Sequence, residues 1–411
     1  MDITNFFKNK GLIFSLYLLF IIPLFPTNIK SIIIAFFSLI LILDILKKRR
    51  VDFRPGFFFA NASLYLFIII SLAYTDNLSY GFKKIETMSS LFIFPLVFSL
   101  FPEDAIKKAN KNRNRYLFVY IVTITVLNTL FFVYHLGHYK ETIFKHYMTV
   151  IRIAQGDYSI HPIYMSMHIS VSLLFSVFLL YKEKSQKRIL LILFLDMVLL
   201  FFLFLLLKKG PVLGLLLGIL TFVLLKNKKQ IWYLFFSIIF VCFLLVLTSS
   251  KIRQKFIELI KIETVNEKDV ETTSSNIRYS LYKYGLETFK ESFLFGHGIG
   301  DYRDKLIESY KDNPVLFNEK YNTHNQYLSF LISLGIIGFL IFLVSIGINL
   351  KQAYKKGNHI LMVILIFYCF VMITENILER EDGVLYFSFF ICFFNTIHVI
   401  ESEEKPSIVN T

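Results

Sequence analysis

Apolar residues in this chain come in long, nearly unbroken runs, and the polar residues collect in the gaps between them. A helix needs about 20 predominantly apolar residues to cross the hydrocarbon core of a bilayer. About twelve such runs can be drawn, at residues 11–26, 30–46, 57–73, 85–101, 116–136, 161–181, 189–207, 210–225, 231–248, 324–349, 359–378 and 384–400. The expected fold is therefore an all-α membrane protein with about twelve transmembrane helices. One gap stands apart: residues 249–323 form a long polar segment, expected to be a large external loop containing short amphipathic helices. No small-residue cleavage pattern separates the first two runs, so the first is expected to persist as a helix.

Composition agrees with the pattern. Hydrophobic residues make up 55% and charged residues only 18%, against about 45–50% and about 25% in soluble domains. The net charge of +14 turns this into a topology signal. With the N-terminus cytoplasmic, alternate linkers hold 22 Lys and Arg, and the opposite short linkers hold nine. Cytoplasmic loops carry the basic excess, so both termini are expected inside and the long loop outside. Orientation and contact with lipid headgroups account for the basic clusters, and no nucleic-acid partner is expected. Cys242, Cys369 and Cys392 each sit alone in an apolar run and read as small core residues.

Chemistry concentrates at the external side. In the loop, Asn276 can cap a helix carrying Arg278, Tyr279 and Tyr282, and Asp301 and Thr323 can cap the helices that follow. The guanidinium of Arg278 suits a diphosphate, although a solvated arginine is the commoner case. Gly296, Gly298 and Gly300 fit a tight turn as well as a phosphate cradle, and no strand precedes them. His324 is expected in the first turn of a spanning helix, where the positive dipole end favours neutral imidazole; it fits a helix cap or a base. Lys208 and Lys209 occupy a tight outer link, as headgroup contacts or an anion site. His161-Pro162 reads as an ordinary helix start on the same side. Glu375 and Glu379 are spaced i,i+4, expected on one helix face and paired with Arg380 or Lys209 if structural. A metal could draw on His297, Asp301, Asp304 and His324, but no pair has zincin-like spacing, and no metal site is expected.

In their order, NIRYSLYKYGLETFKESFLFGHGIGDY and NTHNQYLSFLISLGIIGFLIFL resemble the shared domain of O-antigen ligases and O-antigen polymerases. The family pattern of an arginine, a helix, a G-x-G turn and H-N-x-[YF]-L before a G-x-x-G step falls on Arg278, Gly296, Gly298, Gly300, His324, Asn325, Tyr327, Leu328, Gly335 and Gly338. The resemblance implies helices over 1–189, an O-antigen ligase-related domain over 190–350 that includes the loop, and two further helices with a cytoplasmic tail over 351–411. It also implies a multi-pass protein of the bacterial inner membrane that transfers a glycan from undecaprenyl diphosphate to an acceptor hydroxyl on the periplasmic side, without nucleotide, metal or other cofactor. Arg278 and His324 would be the catalytic pair. Lys208, Lys209, Asn325, Tyr282, His161, Glu375 and Glu379 would bind the diphosphate or glycan, and the three glycines would shape the loop. Where the family commonly has a serine-arginine pair, this chain has Lys208 and Lys209, which keeps the charge and changes its geometry. The acceptor would be lipid A core; a growing glycan, as in a polymerase, or a protein are the alternatives. A flippase is the reading from another class, and it would spread charge through helix centres and show related repeats.

Overall fold

The computed structural model describes residues 11–49, 51–139, 160–229 and 273–397, with Tyr147 and a few isolated positions between 232 and 257. Among them the chain is helical, with no strand. The expected span at 231–248 and the first part of the long loop lie largely outside the described residues.

The helices are α1 (Gly11–Ile21), α2 (Thr27–Lys48), α3 (Pro55–Ser71), α4 (Leu78–Met88), α5 (Ser90–Ser99), α6 (Glu103–Lys111), α7 (Arg113–Tyr139), α8 (Pro162–Lys182), α9 (Gln186–Leu206), α10 (Lys209–Lys226), α11 (Ser274–Glu291), α12 (Tyr302–Ser309), α13 (Pro314–Glu319), α14 (Gln326–Lys355), α15 (His359–Val371) and α16 (Glu381–Ile397). Seven of them, α2, α3, α7, α8, α9, α10 and α14, are long and apolar enough to cross a membrane. The α4–α5 stretch with α6, bent by 104°, would make an eighth. Others of the twelve expected spans are shorter here: α1 and α15 are apolar but below spanning length.

Phenylalanine packing fills the centre. Phe389, Phe390, Phe393 and Phe394 of α16 are buried against Phe20, Phe94, Phe98, Tyr120 and Phe175 from four other helices. α16 is thus the hub, buried along nearly its whole length. By contrast α9 leaves Leu190, Phe194, Met197 and Leu200 exposed, an outward face suited to lipid. α10 lies close to α15 and α8 through Gly214 and Gly218, where a Cβ would press on Phe367 and Leu174; small residues let membrane helices approach closely.

α14 is not one helix. Gly335 has φ 64° and ψ −169°, which interrupts the helical ladder about 14 Å along its length. In a bilayer, backbone groups freed by such a break must find partners within the protein. They find them in the segment after α11: His297 N donates to Ile332 O at 2.8 Å and Gly298 N to Ser333 O at 2.9 Å, while Ile336 N donates to Phe293 O at 2.9 Å and Ile337 N to Leu294 O at 3.3 Å. The glycines permit this approach. Gly296 and Gly298 have φ of 71° and 85°, and a Cβ on Gly296 would lie 2.5 Å from the backbone nitrogens of Gly335 and Leu334. A Cβ on Gly298 or Gly300 would overlap Thr75. The turn amides are thereby spent within the fold, since Ile299 N and Gly300 N donate to Ser71 Oγ and Thr75 Oγ1 at 3.3 and 3.4 Å. The three glycines form a docking turn, and their amides do not point at an open phosphate site.

Gly298→Ala should therefore cost about 1–3 kcal/mol, through positive φ and overlap with Thr75. Gly347→Ala, where nothing lies within 4 Å of the added Cβ, should be neutral or slightly stabilising. Thermal unfolding in one detergent compares the two; equal melting temperatures would contradict the docking role.

Candidate active site

Three chain segments that are far apart in sequence meet at one carboxylate. Arg278, on the second turn of α11, places Nη2 3.0 Å from Glu375 Oε1, and His324 places Nδ1 3.3 Å from Glu375 Oε2. Arg278 and His324 are thus joined through Glu375 in a half-open setting, with side chains 25% and 27% exposed. Burial alone would raise the Glu375 carboxyl; the hydrogen bond and charge of His324, followed by those of Arg278, outweigh it and hold the group below its ordinary value. The Nε of Arg278 is buried and makes no hydrogen bond among the described residues.

The loop around His324 is built to hold that ring. α14 begins at Gln326, and its N-cap is Asn325, whose side chain accepts from Leu328 N at 3.1 Å. His324 therefore precedes the helix instead of lying in its first turn as expected. It has a left-handed backbone, φ 47°, uncommon for a residue with a Cβ. Asn322 Oδ1 accepts from its amide at 3.1 Å, and the Thr323 hydroxyl lies within hydrogen-bonding reach of two acceptors, Asn325 O at 2.9 Å and Asn376 Oδ1 at 3.1 Å. Tyr282, one turn after Arg278, donates from its hydroxyl to Ile373 O at 2.7 Å and reaches His324 O at 3.4 Å. Tyr282 thus ties α11 to both segments.

Other expected caps shift by a few residues. Thr273, not Asn276, caps α11, and Thr323 lies two residues before the cap of α14. Asp301 precedes α12 without a side-chain cap bond; its carboxylate instead accepts from Asp76 N and Asn77 N, each at 2.7 Å. His161 does cap α8, accepting from Ile163 N at 3.4 Å.

Glu375 and Glu379 do not share a helix face. α15 ends at Val371, Glu375 follows a turn outside any helix, and Glu379 is the last residue of the short 3-10 segment Ile377–Glu379. Glu379 is 6% exposed at its side chain and sits in a polar knot. It accepts from Tyr302 Oη at 2.7 Å, from Asn376 Nδ2 at 2.7 Å and from Ser329 Oγ, with Lys84 Nζ 3.5 Å away. Burial raises this carboxyl, but Lys84 and the three hydrogen bonds prevail and leave it lowered. The knot joins α4, α12, α14 and the turn bearing Glu375. Sequence reasoning missed its members Lys84, Tyr302, Ser329 and Asn376, whose only signal is their polarity next to apolar runs.

Lys208 and Lys209 are half-buried at the start of α10. The next residue, Gly210, abuts Thr374 so closely that a Cβ would collide with its hydroxyl, which puts the start of α10 beside the Glu375 turn. Of the four residues considered for a metal, Asp301 and Asp304 both bond Asn77, at 2.7 and 3.2 Å, His297 Nε2 hydrogen-bonds Thr288 O at 3.0 Å, and His324 faces Glu375.

Comparison with known proteins gives a partial match. Residues 194–343 are similar to the family model described as O-antigen ligase, over a stretch that contains Arg278, the glycine turn and the His324 segment. An uncharacterized protein of Haemophilus influenzae is 28% identical over 184 residues, 41% of this chain and 46% of that protein. The match thus spans about half the length of that relative.

The lowered Glu375 predicts an acid profile. A carboxyl depressed on folding contributes stability above its ordinary value of 4.5 and loses it as pH falls through the folded value. On acidification from about pH 6 to about pH 4, the melting temperature of the wild type should fall more than that of Glu375→Gln. Parallel curves would mean that the carboxylate is not held by Arg278 and His324.

Proposed function

We propose that this chain, carrying an O-antigen ligase family domain, transfers a glycan from undecaprenyl diphosphate to an acceptor hydroxyl on the outer side of the bacterial inner membrane, with lipid A core as the acceptor. The observation that carries the reading is the junction of Arg278 and His324 on Glu375.

A carboxylate at Nδ1 favours the tautomer with its proton on that nitrogen, which leaves Nε2 as the acceptor. Nε2 then removes the proton of the acceptor hydroxyl as the oxygen bonds to the anomeric carbon of the donor sugar. The bond from that carbon to the diphosphate oxygen breaks, and the leaving diphosphate keeps the electron pair. Arg278 and the lysines at the start of α10 meet that charge. The proton returns from His324 to solvent or to the released diphosphate. Glu375 orients the imidazole and holds the guanidinium, and it stabilises the imidazolium formed during transfer. Asn325 and Tyr282 position the segment, and Glu379 supports it from the buried knot. The left-handed backbone at His324 fits this role, since strained residues persist where surrounding bonds fix a functional geometry. The G-x-G turn supports the site through α14 and does not bind phosphate itself.

His324→Ala should reduce transfer by at least about 100-fold while donor binding stays within about twofold. Arg278→Ala should weaken donor binding or leaving-group stabilisation, and Arg278→Lys should recover little, because the planar fork is lost. Purified protein in detergent, with product scored on a gel and donor binding measured separately, checks both, and activity should persist in EDTA. Near wild-type turnover by His324→Ala would remove the base.

A further inference from the structure

A trough of about 680 Å³ opens between α2, the α4–α5 stretch and the start of α16. Along α2 it runs from Ser31 to Ile45, about 21 Å at 1.5 Å per residue. Ile34 and Ile45 of α2 and Ile93 and Leu100 of α5 give it apolar walls. Its charged lining residues, Lys83, Glu86 and Glu381, all belong to one end, where α2 and α16 begin. We propose that this trough binds one phospholipid with a primary-amine headgroup, its acyl chain along α2 and α5, its ammonium on Glu86 and Glu381, and its phosphate on Lys83.

Three observations carry it. First, the shape is that of a lipid site, long and apolar with a single polar end, and its volume is within the range of ligand pockets. Ile42 in its lining and Leu39, Leu43 and Leu46 beside it on α2 are exposed, so the trough opens onto a surface that suits hydrocarbon. Second, the polar end lies at headgroup level on the membrane face of the Glu375 junction. Lys83 adjoins Lys84, whose Nζ is 3.5 Å from Glu379, and Glu381 follows Glu379 by two residues.

Third, the charges at that end lack partners. Among the described residues, no ion pair or side-chain hydrogen bond engages Lys83, Glu86 or Glu381. The neighbouring cations are already committed, Lys30 to Asp382 and Lys84 to Glu379. Burial raises the Glu381 carboxyl, and Asp382 and Glu86 raise it further against the opposing pull of Lys30. Two carboxylates opposite one lysine leave the mouth with an excess of negative charge, which repels a diphosphate and attracts an ammonium. A primary ammonium has three donors, enough to bridge both carboxylates and relieve their mutual repulsion, whereas a quaternary one has none. The phosphate that a phospholipid carries next to its amine then meets Lys83 in a charge-assisted hydrogen bond. Nothing in this site depends on the transfer reaction proposed above.

The test takes full-length protein in detergent, stripped of lipid, and titrates it by native mass spectrometry with phosphatidylethanolamine, phosphatidylcholine and phosphatidylglycerol of identical acyl chains. One phosphatidylethanolamine should bind about tenfold more tightly than either of the others, the scale of one charge-assisted hydrogen bond. Glu86→Gln/Glu381→Gln should erase that preference and leave weak binding of all three lipids. Ala35→Trp leaves the charges untouched and fills the trough from an exposed position on α2, so it should weaken binding of all three. Equal affinities for the three lipids in the wild type would overturn the site, as would a preference that survives Glu86→Gln/Glu381→Gln or affinities unchanged by Ala35→Trp. Displacement of the bound phosphatidylethanolamine by undecaprenyl diphosphate would also overturn it, by giving the trough to an anionic lipid.

Discussion

A helix that breaks inside a membrane leaves amides and carbonyls with no water to satisfy them, and everything near the candidate site follows from how that deficit is met at Gly335. Four backbone hydrogen bonds cross from the segment after α11 to residues 332–337, and they work only because Gly296 and Gly298 let two main chains touch. This brace fixes the end of α11 against α14. Arg278 rides on the first of those helices and His324 immediately precedes the second, so the distance between the two side chains is set by the backbone splice as much as by any side-chain contact. The exposed trio Phe293, Leu294 and Phe295 at the splice gives the turn an apolar surface suited to a bilayer interface.

On this frame two carboxylates divide the work. Glu379 is buried and saturated, a cross-link among α4, α12 and α14 whose removal would strand Lys84 in the protein interior. Glu375, only four residues earlier, has a partner at each oxygen and keeps 15% of its side chain exposed. The difference arises because the chain turns sharply between them: Asn376 bonds both Glu379 and Thr323, which directs one carboxylate inward and leaves the other facing Arg278 and His324. Identical side chains thus become a structural tie and a candidate functional group through the path of five residues.

Much of this was legible in the sequence, but unevenly. The long apolar runs gave the helical membrane class, and the spacing from Arg278 through the glycine turn to His324 marked the segments that meet. The partner of those residues was not legible: Glu375 stood out as an interfacial carboxylate, yet the i,i+4 spacing suggested a shared face with Glu379, because nothing in TENILERED announces that α15 stops at Val371. The glycines were read as a turn or a cradle, and the choice depended on where their amides point, which is a tertiary fact. Caps slipped by two or three residues for a similar reason. Thr273, Asn276, Thr323 and Asn325 all have capping side chains, and packing decides among them.

The central claim is that the break in α14 and the glycine turn form one hydrogen-bonded unit. Amide hydrogen exchange of the full-length protein in nanodiscs tests it most directly, by following deuterium uptake in peptides covering 293–300 and 332–338. Both segments should exchange slowly in the wild type, and Gly335→Ala should open both together. Rapid uptake in 293–300, matching that of the exposed stretch at 317–322, or deprotection of one segment while the other stays closed, would contradict it.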